Sequence, residues 1–118
     1  MTPDELRNRL AAFAVAVEAF SRPLLDRPAT QDIAVQLRRS SNSVAANHRA
    51  AGRGRSRAEF ISKLTTALEE ADESLYWLQH LKACHLAPED ALRQLIPESQ
   101  ELVAILTASV KTARERGK

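Results

Sequence analysis

Six arginines and no acidic residue lie between Ile33 and Ala58. They are Arg38, Arg39, Arg49, Arg53, Arg55 and Arg57. The planar guanidinium group makes forked contacts with phosphate oxygens, so a segment of this kind is typical of proteins that bind a nucleic-acid backbone. Arg53, Arg55 and Arg57 also come directly before a predicted helix, whose free N-terminal amides attract anions. We therefore predict a partner that carries phosphate groups, RNA or DNA, bound through charge and with little sequence specificity.

The same arginines have a structural alternative, which is to pair with carboxylates or to remain solvated. Four acidic residues lie close together in the third predicted helix: Glu69, Glu70, Asp72 and Glu73. The arginines could neutralise these side chains within one subunit or between subunits. No aromatic residue lies among the arginines in the sequence, so stacking of bases on rings is not indicated. A continuous basic surface favours nucleic acid, whereas burial of the arginines against the acidic residues favours assembly.

The remaining candidate side chains form no recognisable catalytic or metal-binding motif. His80, Cys84 and His85 include a pair spaced by four residues, but zinc takes three or four protein ligands and no further ligand is indicated. A di-iron bundle requires Glu-x-x-His motifs, and the sequence contains none. A nucleophile elbow, a phosphate-binding glycine loop and a dinucleotide fingerprint are also missing. We therefore expect no enzymatic activity, no metal, no cofactor and no small-molecule substrate.

The composition is that of an ordinary globular protein with an uneven distribution of charge. The chain has 118 residues, of which 44% are apolar and 27% charged, and this size suits one domain over residues 1–118. The net charge is only +2, yet without the six arginines eleven basic residues would face fifteen acidic ones. Cys84 is the only cysteine, and the longest apolar run, Leu10 to Val17, is too short to cross a bilayer. We expect a cytoplasmic protein without a membrane segment.

Helical signals dominate the sequence. Thr2 to Glu5 and Ser56 to Glu59 are capping boxes, and each predicts the start of a helix. Apolar residues recur at steps of three and four, most regularly from Phe60 to Leu81. Pro23 predicts a helix end, and Pro97 predicts a kink or a short separate helix. These signals predict helices over about residues 3–20, 30–51, 57–84 and 88–114, and therefore an all-α, up-down-up-down four-helix bundle.

Two of the predicted helices carry more apolar surface than one bundle can hide. The first helix is apolar nearly all round between Leu10 and Phe20, where Glu18 is its one charged residue. In the third helix, Tyr76 and Trp77 lie well away from the main apolar stripe, at about 100° of rotation per residue. Surplus apolar surface marks contacts between proteins, so we predict that copies of the chain associate into a homo-oligomer. The expected interface residues are Ala12, Val15, Ala16, Ala19, Tyr76, Trp77 and Leu81.

Three stretches of the sequence together resemble a known bacterial family. They are Gln36–Asn47, Arg53–Ile61 and Leu68–Leu78. On these motifs the chain is similar to the proteins encoded in intervening sequences of 23S ribosomal RNA genes, also called S23 ribosomal proteins. The likeness is close in the second and third helices and extends to length and pattern elsewhere.

The resemblance implies a four-helix bundle that assembles into a ring-like homopentamer, with a proposed role in binding RNA or DNA and no known activity for most members. Five residues match the recurring family pattern: Arg38, Ser43, Asn47, Glu59 and Phe60. Many members have Ala-Glu-Gly after the asparagine, whereas this chain has Arg49-Ala50-Ala51. The exchange of an acidic residue for Arg49 makes this region more basic and puts in doubt any contact that depended on the glutamate.

Overall fold

Four helices account for most of the chain in a computed structural model that describes residues 1–116. They are α1 (Pro3–Leu25), α2 (Gln31–Ala51), α3 (Arg57–Ala83) and α4 (Glu89–Arg116). The described part of the chain contains no β-strand, which confirms the all-α prediction. Each helix packs on the next in sequence and α4 returns to α1, whereas α1 and α3 make no close backbone approach, and neither do α2 and α4. The result is an elongated bundle of 47 × 21 × 20 Å.

The two predicted capping residues begin α1 and α3. Thr2 accepts a hydrogen bond on its side-chain oxygen from the amide of Glu5, at 3.1 Å. Ser56 accepts one from the amide of Glu59, also at 3.1 Å. Each contact satisfies an amide that has no partner inside its helix, and this confirms the predicted starts.

The prolines interrupt the helices less than the sequence indicates. The prediction that α1 ends near Phe20 is wrong, because the helix continues through Pro23 to Leu25. In this last turn the ring removes only the proline's own amide donor, and the amide of Asp26 still bonds to the Pro23 carbonyl. For Pro97 the sequence left open a kink or a short separate helix, and the second alternative is excluded because α4 is continuous. Pro97 lies on the exposed face of α4, where water reaches the carbonyl that loses its partner.

The end of α3 is built by a Schellman motif with a histidine in the position that glycine usually takes. The amide of Leu86 bonds to the Leu81 carbonyl at 3.0 Å, and the amide of His85 bonds to the Lys82 carbonyl at 3.1 Å. His85 has a φ of 54°, the only positive φ among non-glycine residues in the described chain. This left-handed residue turns the backbone sharply into α4.

The core is filled mainly by leucines from all four helices. The largest fully buried apolar side chains are Leu10, Val17, Leu37, Val44, Leu78, Leu81, Leu92, Leu102 and Leu106. Between α2 and α3 the core is narrower, because Ser40 and Ser74 meet there through their hydroxyl groups at 2.8 Å. Each serine oxygen also lies within hydrogen-bond distance of a carbonyl of its own helix. One hydroxyl donates to the other, and the accepting serine donates to its own helix carbonyl, so both buried hydroxyls are satisfied.

Candidate nucleic-acid interface

Arg38 is used inside the chain to join α2 to α1. Its guanidinium group makes a two-pronged contact with Glu18, at 2.5 Å from Nε and 2.8 Å from the second nitrogen. The hydrogen bonds from Arg38 hold the pKa of Glu18 below its ordinary value. Arg38 is therefore neutralised by an acid of the first helix, which lies outside the acidic group considered from the sequence.

Arg39 joins α2 to α3 through two of the acidic residues that the sequence offered as partners for the arginines, Glu70 and Glu73. It lies 2.6 Å from a carboxylate oxygen of Glu73 and 3.3 Å from one of Glu70. Partial burial acts to raise the pKa of Glu73, but hydrogen bonds from Arg39 and Trp77 outweigh it and hold the pKa below its ordinary value. The predicted pairing with the acids of α3 is thus present within one chain for this arginine.

Arg57 has a third structural contact, with the backbone of α4. Its guanidinium donates to the carbonyl oxygen of Ala113 at 2.5 Å. Ala113 lies in the last turn of α4, where carbonyl groups lack partners inside the helix and a positive charge is favourable. This contact fastens the first residue of α3 to the end of α4.

The other three arginines of the segment form a basic corner at one end of the bundle. Arg49 lies in the last turn of α2, and Arg53 and Arg55 lie in the loop between α2 and α3. All three are exposed. Within residues 1–116, none has a carboxylate oxygen within 4.0 Å or a side-chain hydrogen bond. Their charges are therefore available to an external anion.

A glycine fixes the loop that carries this basic corner. A Cβ atom at Gly54 would lie 3.2 Å from the carbonyl oxygen of Ala51 and 3.2 Å from the amide nitrogen of Phe60. The loop therefore passes directly against the end of α2 and the first turn of α3, and a side chain at this position would push the neighbouring backbone away by a few tenths of an ångström. Arg53 and Arg55 flank Gly54 and are held at the start of α3.

An apolar groove with a volume of about 620 Å³ opens at the same end of the bundle. It lies between the start of α1 and the last three turns of α4, and α1 and α4 are the neighbouring helices that pack least closely. Its apolar lining includes Leu6, Phe60, Ile61 and Ile105. Among the described residues of the lining, the basic ones are His48, Arg57 and Arg116, and none is aspartate or glutamate.

His48 contributes a neutral ring to this groove. Burial is the main cause that lowers its pKa, and the positive charge of Arg7 lowers it further. Its Nδ1 atom is buried and has no hydrogen-bond partner in the described chain. At neutral pH the imidazole is therefore uncharged and presents a planar surface rather than a cation.

Five of the seven apolar residues expected at an interface are exposed, while Trp77 is half-buried and Leu81 is buried. Ala12, Ala16 and Ala19 lie on the surface of α1, and Val15 is 70% exposed. On α3, Tyr76 is 55% exposed and its ring meets the half-buried Trp77 ring at a centroid distance of 5.0 Å.

Leu81 was wrongly included among the interface residues. It is fully buried in the core of its own chain. The helical turn places it with Leu78 rather than with the exposed Tyr76 ring, so it is not accessible to a second copy.

His80 and Cys84, which have the spacing of metal ligands, have no third ligand beside them within the described residues. His80 Nε2 lies 3.8 Å from Cys84 Sγ, and within residues 1–116 no group of three or more His, Cys, Asp or Glu side chains could hold a metal ion. In the same part of the chain, no helix is both long and apolar enough to span a membrane.

Comparison with known proteins identifies the family. The family model described as "23S rRNA-intervening sequence protein" matches residues 7–108. The chain belongs to this family. A solved structure of a protein of unknown function from the S23 ribosomal protein family of Bacteroides thetaiotaomicron VPI-5482 is 30% identical, with a TM-score of 0.85 over 94% of this chain and 99% of that one. No curated protein sequence matches the chain.

For this member of the 23S rRNA-intervening sequence protein family, the groove is the feature that the sequence did not indicate. Phe60 was recognised only as part of an apolar stripe and a family pattern. A signal does exist in α4, where Ala108, Ser109 and Thr112 stand along the groove. Such small side chains near the end of a bundle helix leave space that larger apolar residues would fill.

Proposed function

We propose that this protein is a non-catalytic homo-oligomer that binds the phosphate backbone of nucleic acid through its basic corner, Arg49, Arg53 and Arg55. One observation carries the proposal: these guanidinium groups are exposed and have no acidic partner in the described chain. Arg38 and Arg39, in contrast, are neutralised by carboxylates. Grouped arginines without acidic partners attract polyanions, and their fork geometry suits phosphate oxygens.

A binding assay with two matched triple variants tests this part of the proposal. The family name refers to 23S rRNA, so RNA is the first probe. Replacing Arg49, Arg53 and Arg55 with alanine should weaken RNA binding at least tenfold at about 0.1 M salt, because three phosphate contacts are lost. The control variant replaces three exposed cations elsewhere, Arg22, Lys82 and Lys111, and removes the same charge. Equal losses in the two variants would contradict a localised site.

The self-association part of the proposal is supported by the positions of the exposed apolar patches. The alanine face of α1, which includes Val15, and the Tyr76 face of α3 lie on helices at opposite corners of the bundle. A two-fold contact that uses one side of the molecule cannot cover both patches. A head-to-tail contact of one patch with the other covers both and closes into a ring when the rotation fits. The resemblance implies five copies, and we propose that ring size.

A complementation experiment tests the head-to-tail arrangement. Val15→Glu and Tyr76→Glu each place a charge in one patch and should each produce monomers, measured by light scattering after size-exclusion chromatography. A mixture of the two variants retains one intact α1 patch and one intact α3 patch, so it should form a heterodimer. A wild-type protein that is monomeric at micromolar concentration would overturn the self-association.

A second candidate is a scaffold oligomer that binds no nucleic acid. The observation that favours it is the use of Arg38, Arg39 and Arg57 in contacts between helices. It predicts wild-type assembly with no retention of RNA even at low salt. For either candidate we propose a cytoplasmic location, because Cys84 is exposed and free, as is usual in a reducing compartment.

A further inference from the structure

The groove beside the basic corner has the size and lining of a ligand site rather than of a packing defect. Its volume of about 620 Å³ falls within the range of small-ligand pockets, roughly 300–1,000 Å³. We infer that it receives an unstacked base of a single-stranded RNA, while Arg53 and Arg55 hold the adjoining phosphates. This inference rests on the proposed function and names the form of nucleic acid that the same site would take.

The charge of the groove argues for an anionic occupant. Two cationic side chains line it, Arg57 and Arg116, and none of the described residues of the lining is acidic. The floor is apolar, with Leu6 and Leu64 buried beneath it. A nucleotide combines the two properties that this surface complements, a flat apolar base and a charged phosphate. The exposed apolar patches of α1 and α3, which we assign to self-association, lie outside this lining.

Aromatic surface is present in the groove, although none lies among the arginines in the sequence. Phe60 and His48 both line it. The imidazole is uncharged for the reasons given above, and a neutral ring stacks on a base without bringing a buried charge with it. A base that leaves its stack in the RNA can thus replace the neighbouring base with the ring of Phe60 or His48.

The basic corner is close enough to the groove to hold the strand that carries the base. The backbone of Gly54 lies against the amide of Phe60, so Arg53 and Arg55 flank a residue of the lining. Arg49 follows His48 directly in α2. Phosphate contacts and the base pocket therefore lie side by side, as in proteins that recognise unpaired nucleotides. A duplex keeps its bases stacked and would use the arginines alone.

The first test compares two strands that differ only in their bases. A short single-stranded RNA of mixed sequence and an abasic strand of equal length are measured with the wild-type protein by fluorescence anisotropy at one salt concentration. The RNA should bind about tenfold more tightly, as expected when a base gains a stacking partner. Equal affinities for the two strands would overturn the base pocket while leaving phosphate binding intact.

The second test fills the groove without removing any of its contacts. Ala108 is exposed and lines the groove, whereas Ala104 is exposed one turn earlier in α4 and does not. Ala108→Trp should remove the tenfold preference for the RNA over the abasic strand, and Ala104→Trp should retain it. Because both sites are on the surface, neither variant is expected to affect folding, which circular dichroism checks.

The outcomes separate this inference from the proposed function. If neither strand binds and the triple arginine variant behaves as wild type, the proposed function fails and this inference with it. If both strands bind through the arginines but Ala108→Trp has no effect on the preference, only the base pocket is overturned. If Ala108→Trp changes the oligomer mass and leaves RNA affinity unchanged, the occupant of the groove is a second copy, and the inference is wrong.

Discussion

The middle of the bundle and its open end, where the groove and the basic corner lie, use the same residue type in opposite ways. In the middle, Arg38 and Arg39 each meet a carboxylate of a neighbouring helix within 2.6 Å. At the open end, Arg53 and Arg55 meet none in the described chain. The difference is set by what lies across the helix interface, since acidic residues face α2 in the middle and none lines the groove. Arginine composition alone therefore does not locate a candidate nucleic-acid site, and we propose the arginines without acidic partners for that role.

The largest expected effect is on the free energy of unfolding, because side chains should pack more tightly in the middle of the bundle than at its open end. Leu37 lies beside Arg38 and is fully buried, so Leu37→Ala should lower the free energy of unfolding by about 2–5 kcal/mol. Ile61 lines the groove and is only partly buried, so Ile61→Ala should lower it less. Urea unfolding of the two variants measures the difference. Equal losses would show that the open end is packed as well as the middle.

Reversing charge should affect binding at the open end and folding in the middle. Arg53→Glu with Arg55→Glu should lower RNA affinity more than tenfold and leave the urea midpoint unchanged, because neither side chain has an internal partner. Arg38→Ala with Arg39→Ala should lower the urea midpoint and leave RNA affinity unchanged, since both arginines compensate acids of other helices. If the Arg38 and Arg39 variant instead loses RNA binding, the division into two groups is wrong.

The pH dependence of stability should arise mainly from the carboxylates that pair with arginines between the helices. Contacts with Arg38 and Arg39 hold the pKa of Glu18 and Glu73 below the ordinary value of 4.5. Arg9 of α1 donates to Glu98 of α4 at 2.8 Å and lowers the pKa of that carboxylate in the same way. The unfolded chain therefore takes up protons at a higher pH than the folded chain does, and stability should fall as the pH drops below about 4.5. The urea midpoint across this range measures the fall. Arg38→Ala with Arg39→Ala should flatten the profile, and Arg53→Ala with Arg55→Ala should leave it unchanged.

The smallest expected effect is a gain in stability at the end remote from the groove. His85 holds a left-handed conformation that costs a non-glycine residue about 1 kcal/mol. His85→Gly should therefore raise the free energy of unfolding by up to about 1 kcal/mol and leave RNA affinity unchanged. His85→Ala is the matched control, because alanine keeps the strain. A loss of RNA binding in His85→Gly would place part of the site at the wrong end of the bundle.

Local sequence signals predicted most of the fold, whereas the partners of the arginines depend on how the helices pack against one another. Thr2 and Ser56 indicated two helix starts because a cap depends on only a few neighbouring residues. Pro23 misled because α1 continues for one more turn, in which the proline removes only its own amide donor. The partner of Arg38, Glu18, could not be identified before the packing of α2 on α1 was known.

The groove could not be predicted from the sequence for a similar reason. Its volume depends on side chains from all four helices and on the weak packing of α1 against α4. The small residues of α4 after Ile105 were visible, yet small residues alone also fit a closely packed helix pair. The four-helix architecture itself followed from periodicity and caps, and the Bacteroides structure shares it.

The salt dependence of RNA binding shows whether the basic corner contacts phosphates, because it counts the phosphate contacts that release counterions. The logarithm of the binding constant is measured against the logarithm of salt concentration for wild type and for the variant with Arg49, Arg53 and Arg55 replaced by alanine. We expect the slope to become less steep by about 2 to 3 in the variant, the value for three lost contacts. An unchanged slope would contradict the assignment of the basic corner as the nucleic-acid site.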